Sequence, residues 1–143
     1  MILKRILLIC SLVIVLFISA YLIYDYNSPR NNTTIVYYVP SDLEGKCYYI
    51  YYNQEGEPPL IPEKVKGKYE LTIKYPSDGK LLTSSDGETI PELGRYKVKA
   101  FSINEDGVVI EEISNGDISG SLTDSNTSNA YSTNVFDGSG YCH

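Results

Sequence analysis

A single histidine, His143, and only three cysteines, Cys10, Cys47 and Cys142, leave this chain short of a structural zinc site, which takes about four such ligands at fixed spacings. The adjacent Cys142-His143 pair is a poor nucleophile and base, because the imidazole must be held against the sulfur by a third group and a free chain end supplies none. Asp78-Gly79, Asp86-Gly87 and Asp106-Gly107 lack the regular acidic spacing and closing glutamate of a calcium loop and read as turns. Glu55 with Glu57 and Glu111 with Glu112 are pairs that any acidic chain produces, so they carry no signal for glycosidic cleavage. No cofactor, no metal and no enzymatic activity are expected. Tryptophan is absent and phenylalanine occurs three times against 14 tyrosines, so tyrosine, with abundant Ile and Val, is the aromatic that strands have to use.

Charge and proline are both missing from Ile6 to Tyr24, a run of about nineteen residues that spans on the order of 28 Å as a helix and matches a bilayer's hydrocarbon core. Lys4 and Arg5 precede it, so the positive-inside tendency places the N-terminus in the cytoplasm and the rest of the chain outside, a single-pass protein of the cell membrane. A secretory signal peptide is the competing reading. Against it, Ile18-Ser19-Ala20 is a weak cleavage site and the apolar character continues through Tyr24, with Tyr21 and Tyr24 suited to the interfacial aromatic belt. Lipid attachment at Cys10 wants a small residue before the cysteine and finds Ile9, so Cys10 reads as an apolar-tolerant position within the helix.

Beyond Tyr24 remain ten of the 12 basic residues and all 18 acidic ones, a formal charge of 10 − 18 = −8. That balance argues against nucleic acid and against an anionic membrane surface as partners. The remaining length, about 119 residues, suits one domain. The expected organisation is an anchor over 1–24, a polar linker over 25–32, a β domain over 33–113, and a Ser/Asn/Gly-rich segment over 114–143 too polar to order itself, with a return to the domain at 135–142 as an option.

Within the domain, Thr33 to Val39 is a strand closed by Pro40, and Lys46 to Asn53, apolar on both faces, is a central strand. The prolines before Lys66 keep that stretch off a ladder. Tyr69, Leu71, Ile73 and Tyr75 alternate with Glu70, Thr72 and Lys74, the pattern of a half-buried strand. Lys80 to Thr83 is a further short strand between turns. Arg95 to Asn104 and Val108 to Ile113 flank Glu105-Asp106-Gly107, whose Asp-Gly step suits a tight hairpin. The fold class these imply is all-β, a small antiparallel β-sandwich behind one N-terminal transmembrane helix; the Gly67-x-Tyr69 strand resembles those of prealbumin-like sandwiches, with an immunoglobulin-like sandwich as the alternative.

Two constellations are candidate sites. Tyr48, Tyr49, Tyr51 and Tyr52 read by default as core and cross-strand packing, with a stacking surface for a glycan or a partner peptide as the alternative. Cys47 and Cys142 would lie in a disulfide-permissive compartment and are expected to pair, fastening the tail to the domain. Asn31, Asn32 and Asn126 open Asn-x-Ser/Thr triplets, which matter only in a glycosylating host.

The order "TIVYYVPSDLEG", "CYYIYYNQEGEPPL", "GKYELTIKYPSDGKLLTSS" and "KAFSINEDGVVIEEI", over about residues 34 to 113, resembles an uncharacterised bacterial domain-of-unknown-function family, number 6843. The resemblance implies a small extracytoplasmic β domain, often carried behind a lipoprotein signal in Gram-positive and related bacteria, and implies no catalytic residues. This chain departs from the family in its longer apolar anchor and in having no lipid-attachment motif. The expected role is a membrane-anchored extracytoplasmic domain that binds an envelope protein or glycan or serves structurally. The alternatives are a small envelope hydrolase with a loop-built site, and an immunity or accessory protein of a neighbouring gene product.

Overall fold

A computed structural model describes residues 2–41, 46–114, 118–122 and 130–136. Helix α1, Ile2–Asn27, contains a 22-residue stretch, Ile6–Asn27, long and apolar enough to cross a membrane, and none of it is buried in the protein. The core helix of a soluble domain would bury its apolar side chains, whereas Phe17 is 74% and Tyr24 75% exposed. Its two serine hydroxyls turn back onto the helix, Ser11 donating to the Leu8 carbonyl at 2.9 Å and Ser19 to that of Val15 at 2.8 Å. In lipid that removes two donors that would otherwise have no partner.

The remaining elements are strands and one 3-10 turn: β1 Thr33–Pro40, β2 Tyr48–Tyr51, β3 Glu63–Val65, β4 Lys68–Lys74, β5 Lys80–Leu82, a turn at Pro91–Leu93, β6 Lys97–Ile103, β7 Val109–Ile113, β8 Ser119–Leu122 and β9 Tyr131–Val135. They form two sheets, ordered β3-β4-β1-β6-β7 and β5-β2-β9-β8. In the first, β1 is central and runs parallel to both β4 and β6. As the central strand, β1 is flanked on both edges, and its outer-face side chains Thr34, Val36 and Tyr38 are buried or half-buried beside those of β4 and β6, which fits a Thr-Thr-Ile-Val-Tyr-Tyr-Val run that is apolar without alternation. Ile35, Tyr37 and Val39 face the core, while Val36 is buried on the other side and Tyr38 stacks on Phe101 with ring centroids 5.9 Å apart.

One core receives side chains from both sheets. Leu71 and Ile73 of β4 meet Ile50 of β2, and a cluster of rings joins Tyr37, Tyr48, Tyr75 and Phe136, with Tyr48 and Tyr75 centroids 4.9 Å apart. Each buried Ile or Leu contributes about 1.5–3 kcal/mol by leaving water. The tyrosines fill volume in the same way, but each must also find a partner for its hydroxyl inside the domain.

The expected hairpin is present. β6 and β7 pair antiparallel with a bulge between Ser102 and Ile103, Gly107 sits at φ +78°, and the Asn104 side-chain oxygen accepts the Val108 N–H at 2.8 Å. The alternating segment is β4 as expected, and β2 lies in the interior of its sheet.

Three expectations are corrected. The sheets are mixed, not antiparallel, since β1–β4, β1–β6 and β2–β5 are parallel pairs; parallel partners come from distant segments that no local turn signal connects. The polar segment after Ile113 supplies β8 and β9, and β9 is an interior strand with Ser132, Thr133, Asn134 and Val135 buried. The stretch before Lys66 does reach a ladder, as the short exposed edge strand β3.

Residues 25–32 are no free linker either. The Asn32 side chain donates toward the carbonyls of Asp25, Tyr26 and Ser28 at 3.2–3.4 Å, capping the end of α1. Asn31, in the left-handed region at φ 63°, donates its N–H to the Leu93 carbonyl at 2.7 Å and accepts the Arg95 N–H at 2.8 Å. Tyr69 closes the joint by donating its hydroxyl to the Asn27 carbonyl at 2.6 Å.

Candidate functional site

Strand pleating sends Tyr48, Ile50 and Tyr52 inward and Tyr49 and Tyr51 outward, so the four tyrosines named as a possible binding surface are divided between two faces. Tyr48 and Tyr52 are each 1% exposed. Tyr49 and Tyr51 are half-buried on the outer face of the second sheet, where Tyr131 of β9 joins them at centroid distances of 6.1 and 5.9 Å.

Across from β2, the pleat of β9 turns Ser132 and Asn134 inward, in register with Ile50 and Tyr48. Polar side chains facing a core are costly unless bonded. Here they are bonded: Tyr52 Oη and Ser132 Oγ lie 3.1 Å apart, and the Asn134 amide donates to Tyr75 Oη at 2.8 Å. Among the described residues, no buried side-chain nitrogen or oxygen lacks a partner. The last of these bonds ties the two sheets together, since Tyr75 follows β4 and Asn134 belongs to β9.

Over this polar floor lies a cleft of about 330 Å³. Tyr37 and Tyr52 line its depth with Ser132 and Asn134, and Tyr96, Val98, Ile90 and Pro91 form one wall. The opposite wall is the segment Ile118–Leu122, which includes β8. A Cβ on Gly120 would stand 2.6 Å from Asn134 Oδ1 and 3.3 Å from the Thr133 carbonyl, so a glycine is what lets β8 pass this close to the amide. No charged side chain lines the cleft among the described residues.

Its buried phenols, Tyr37 and Tyr52, are held in the neutral form. Burial, then the neighbouring Tyr96 and Tyr52 hydroxyls, hold the Tyr37 pKa well above the ordinary tyrosine range. Burial likewise raises Tyr52, opposed by its hydrogen bond to Ser132, and raises Tyr75, opposed by the Asn134 hydrogen bond. Among the described residues, the cleft therefore offers hydroxyl and amide groups between walls that are largely apolar, with no charged side chain lining it.

These shifts set a pH dependence. A tyrosine whose folded pKa exceeds its unfolded value of about 10 holds its proton more tightly when folded, so its stabilisation is complete below pH ~10 and is lost as pH rises beyond that. Denaturant unfolding followed across the alkaline range should show stability falling from about pH 10 upward, with Tyr37→Phe or Tyr75→Phe flattening the fall. A profile unchanged by either substitution would mean that these rings are hydrated.

Cys47 is half-buried just before β2 and is disulfide-bonded, while Cys10 on α1 is a free thiol. Cys142 and His143 lie outside the described residues. Sequence reasoning missed Tyr37, Tyr96, Ser132 and Asn134. The available signal was Ala130-Tyr-Ser-Thr-Asn-Val-Phe136, in which tyrosine, threonine and valine alternate with small and polar residues.

Comparisons with known proteins add little. No family model matches the chain, and no curated protein matches it. Among solved structures, the "Putative Lipoprotein from Bacillus anthracis" crystal structure is similar at a TM-score of 0.48 and 20% identity, covering 78% of this chain and 74% of that one. The likeness is too low to carry a function across.

Proposed function

We propose that the chain is a single-pass membrane protein whose extracytoplasmic β domain binds a small uncharged ligand bearing hydroxyl groups, sugar-like in chemistry, in the cleft between the sheets. The observation that carries this reading is the composition of the cleft: phenol, hydroxyl and amide groups at the floor, walls that mix Ile90, Pro91, Val98, Ile118 and Leu122 with Ser119 and Ser121, and no charged side chain among the described lining residues. Concave sites of this kind, mostly apolar with a few convergent polar groups, are the usual form of small-molecule sites. An uncleaved α1 is the anchor in this reading, with its N-terminus in the cytoplasm. Membership of the resembled domain-of-unknown-function family and a sandwich arrangement of the two sheets are parts of the same proposal. An envelope hydrolase is the weaker reading because the described lining residues include no nucleophile paired with a histidine or carboxylate base.

The test uses the detergent-solubilised full chain, titrated with neutral mono- and disaccharides and followed by tyrosine fluorescence, since Tyr37, Tyr52 and Tyr96 line the cleft. Saturable quenching is expected for at least one neutral compound, weakened about tenfold by Ser132→Leu, which removes a hydroxyl and fills the space. If charged compounds bind while neutral ones do not, or if Ser132→Leu leaves binding intact in a folded chain, the cleft is not the site.

A further inference from the structure

The net charge of the domain conceals an uneven distribution. β1 starts where α1 ends, and because β4 and β6 run parallel to it, the starts of all three strands share the end of the domain that faces the helix. That end carries Arg30, Lys64, Lys66, Lys68 and Arg95, all exposed, against Asp25 and Glu92. One row farther along the ladder Lys97 lies at the level of Glu70 and Glu63. The opposite end is mixed, with Asp78 after β4 and Glu105 and Asp106 at the tip of the β6–β7 hairpin set against Lys74 at the end of β4 and Lys80 of β5.

The joint to α1 holds the cationic end in place. Tyr69 donates to the last helical carbonyl, Asn27, and the Lys64 ammonium lies 5.7 Å from the centre of the Tyr69 ring. Asn31 binds the main chain of Leu93 and Arg95 on the other side. These contacts on both sides of the helix exit keep the rim beside the end of Ile6–Asn27, the stretch long and apolar enough to cross a membrane.

We propose that the rim formed by Arg30, Lys64, Lys66, Lys68 and Arg95 docks on anionic phospholipid headgroups of the bilayer that α1 crosses, fixing the orientation of the domain. This rests on reading α1 as an uncleaved anchor. Interfacial lysines and arginines are each drawn to an anionic surface strongly enough to matter, and salt weakens the attraction. The acidic remainder is repelled by the same surface, which turns the far end outward.

The full chain in nanodiscs of phosphatidylcholine alone, or of equal parts phosphatidylcholine and phosphatidylglycerol, tests the rim by amine acetylation read residue by residue in a mass spectrometer. Lys64, Lys66 and Lys68 should react about fivefold more slowly in the anionic disc, the protection vanishing in high salt, while Lys74 and Lys80 react equally in both. Combined Lys66→Glu and Arg95→Glu, at exposed positions, should remove the protection at Lys64 and Lys68. Equal reactivity in the two discs, with the chain retained through an alkaline wash, overturns the rim and leaves the anchor standing. Loss of the chain in that wash overturns the anchor and the rim with it.

Discussion

Replacing Tyr75 with alanine should cost about 3–5 kcal/mol and leave a chain that unfolds near ambient temperature, given the ~5–15 kcal/mol that holds a typical domain together. Tyr75 is 1% exposed and touches the rings of Tyr37, Tyr48 and Phe136, so truncation opens a cavity bordered by both sheets. It also removes the oxygen that accepts the Asn134 amide proton at 2.8 Å, leaving a buried donor unpaired. Tyr75→Phe keeps the ring and loses only that acceptor, so it should cost about 1–3 kcal/mol. Denaturant titration of the solubilised chain separates the two. Equal losses for Phe and Ala would place the stabilisation in the hydrogen bond alone, and a loss below about 1 kcal/mol for Ala would mean the core closes around the gap.

The sequence made some of this architecture readable and hid the rest, for physical reasons that differ by element. β4 was legible because Tyr69, Leu71, Ile73 and Tyr75 alternate with polar residues, a pattern set by the pleat of a single strand. The β6–β7 hairpin was legible because Asp106-Gly107 supplies the positive φ its turn needs within a few residues. Parallel pairing of β1 with β4 and β6 was not, because 33–40, 68–74 and 97–103 meet only through the tertiary fold. Asn31 and Asn32 read as polar linker because their role lies in side-chain bonds to Arg95 and to the end of α1, which composition does not express.

The candidate cleft was hidden by the same blindness to partners. Ser132 and Asn134 sit in a stretch whose Ser, Thr and Asn content argues against burial, and they are buried because Tyr52 and Tyr75 supply their hydrogen bonds from the facing strands. The tyrosine run reads from sequence as packing or, alternatively, as one surface; the pleat assigns Tyr52 to the cleft and Tyr49 and Tyr51 to the outer face with Tyr131.

The Cys47–Cys142 bridge is expected to contribute up to about 4–5 kcal/mol, because it would close a loop of about 95 residues and loop-closure entropy grows with length. Cys47 is disulfide-bonded, Cys10 is free, and the chain has three cysteines, so an intramolecular bond is expected to use Cys142. The bridge would tie the tail to the start of β2, the strand that contributes Tyr52 to the cleft. The unreduced, denatured chain should therefore titrate one thiol, Cys10, and three after reduction. Peptide mapping without reductant should recover a fragment joining Cys47 to Cys142. Reduction, or Cys142→Ser, should lower the denaturation midpoint while leaving the spectrum of α1 unchanged, since the helix holds no part of the loop. Three thiols before reduction would dissolve the bridge. A dimer that reducing agent converts to monomer would move it between chains, and the tail would then join two domains instead of closing one.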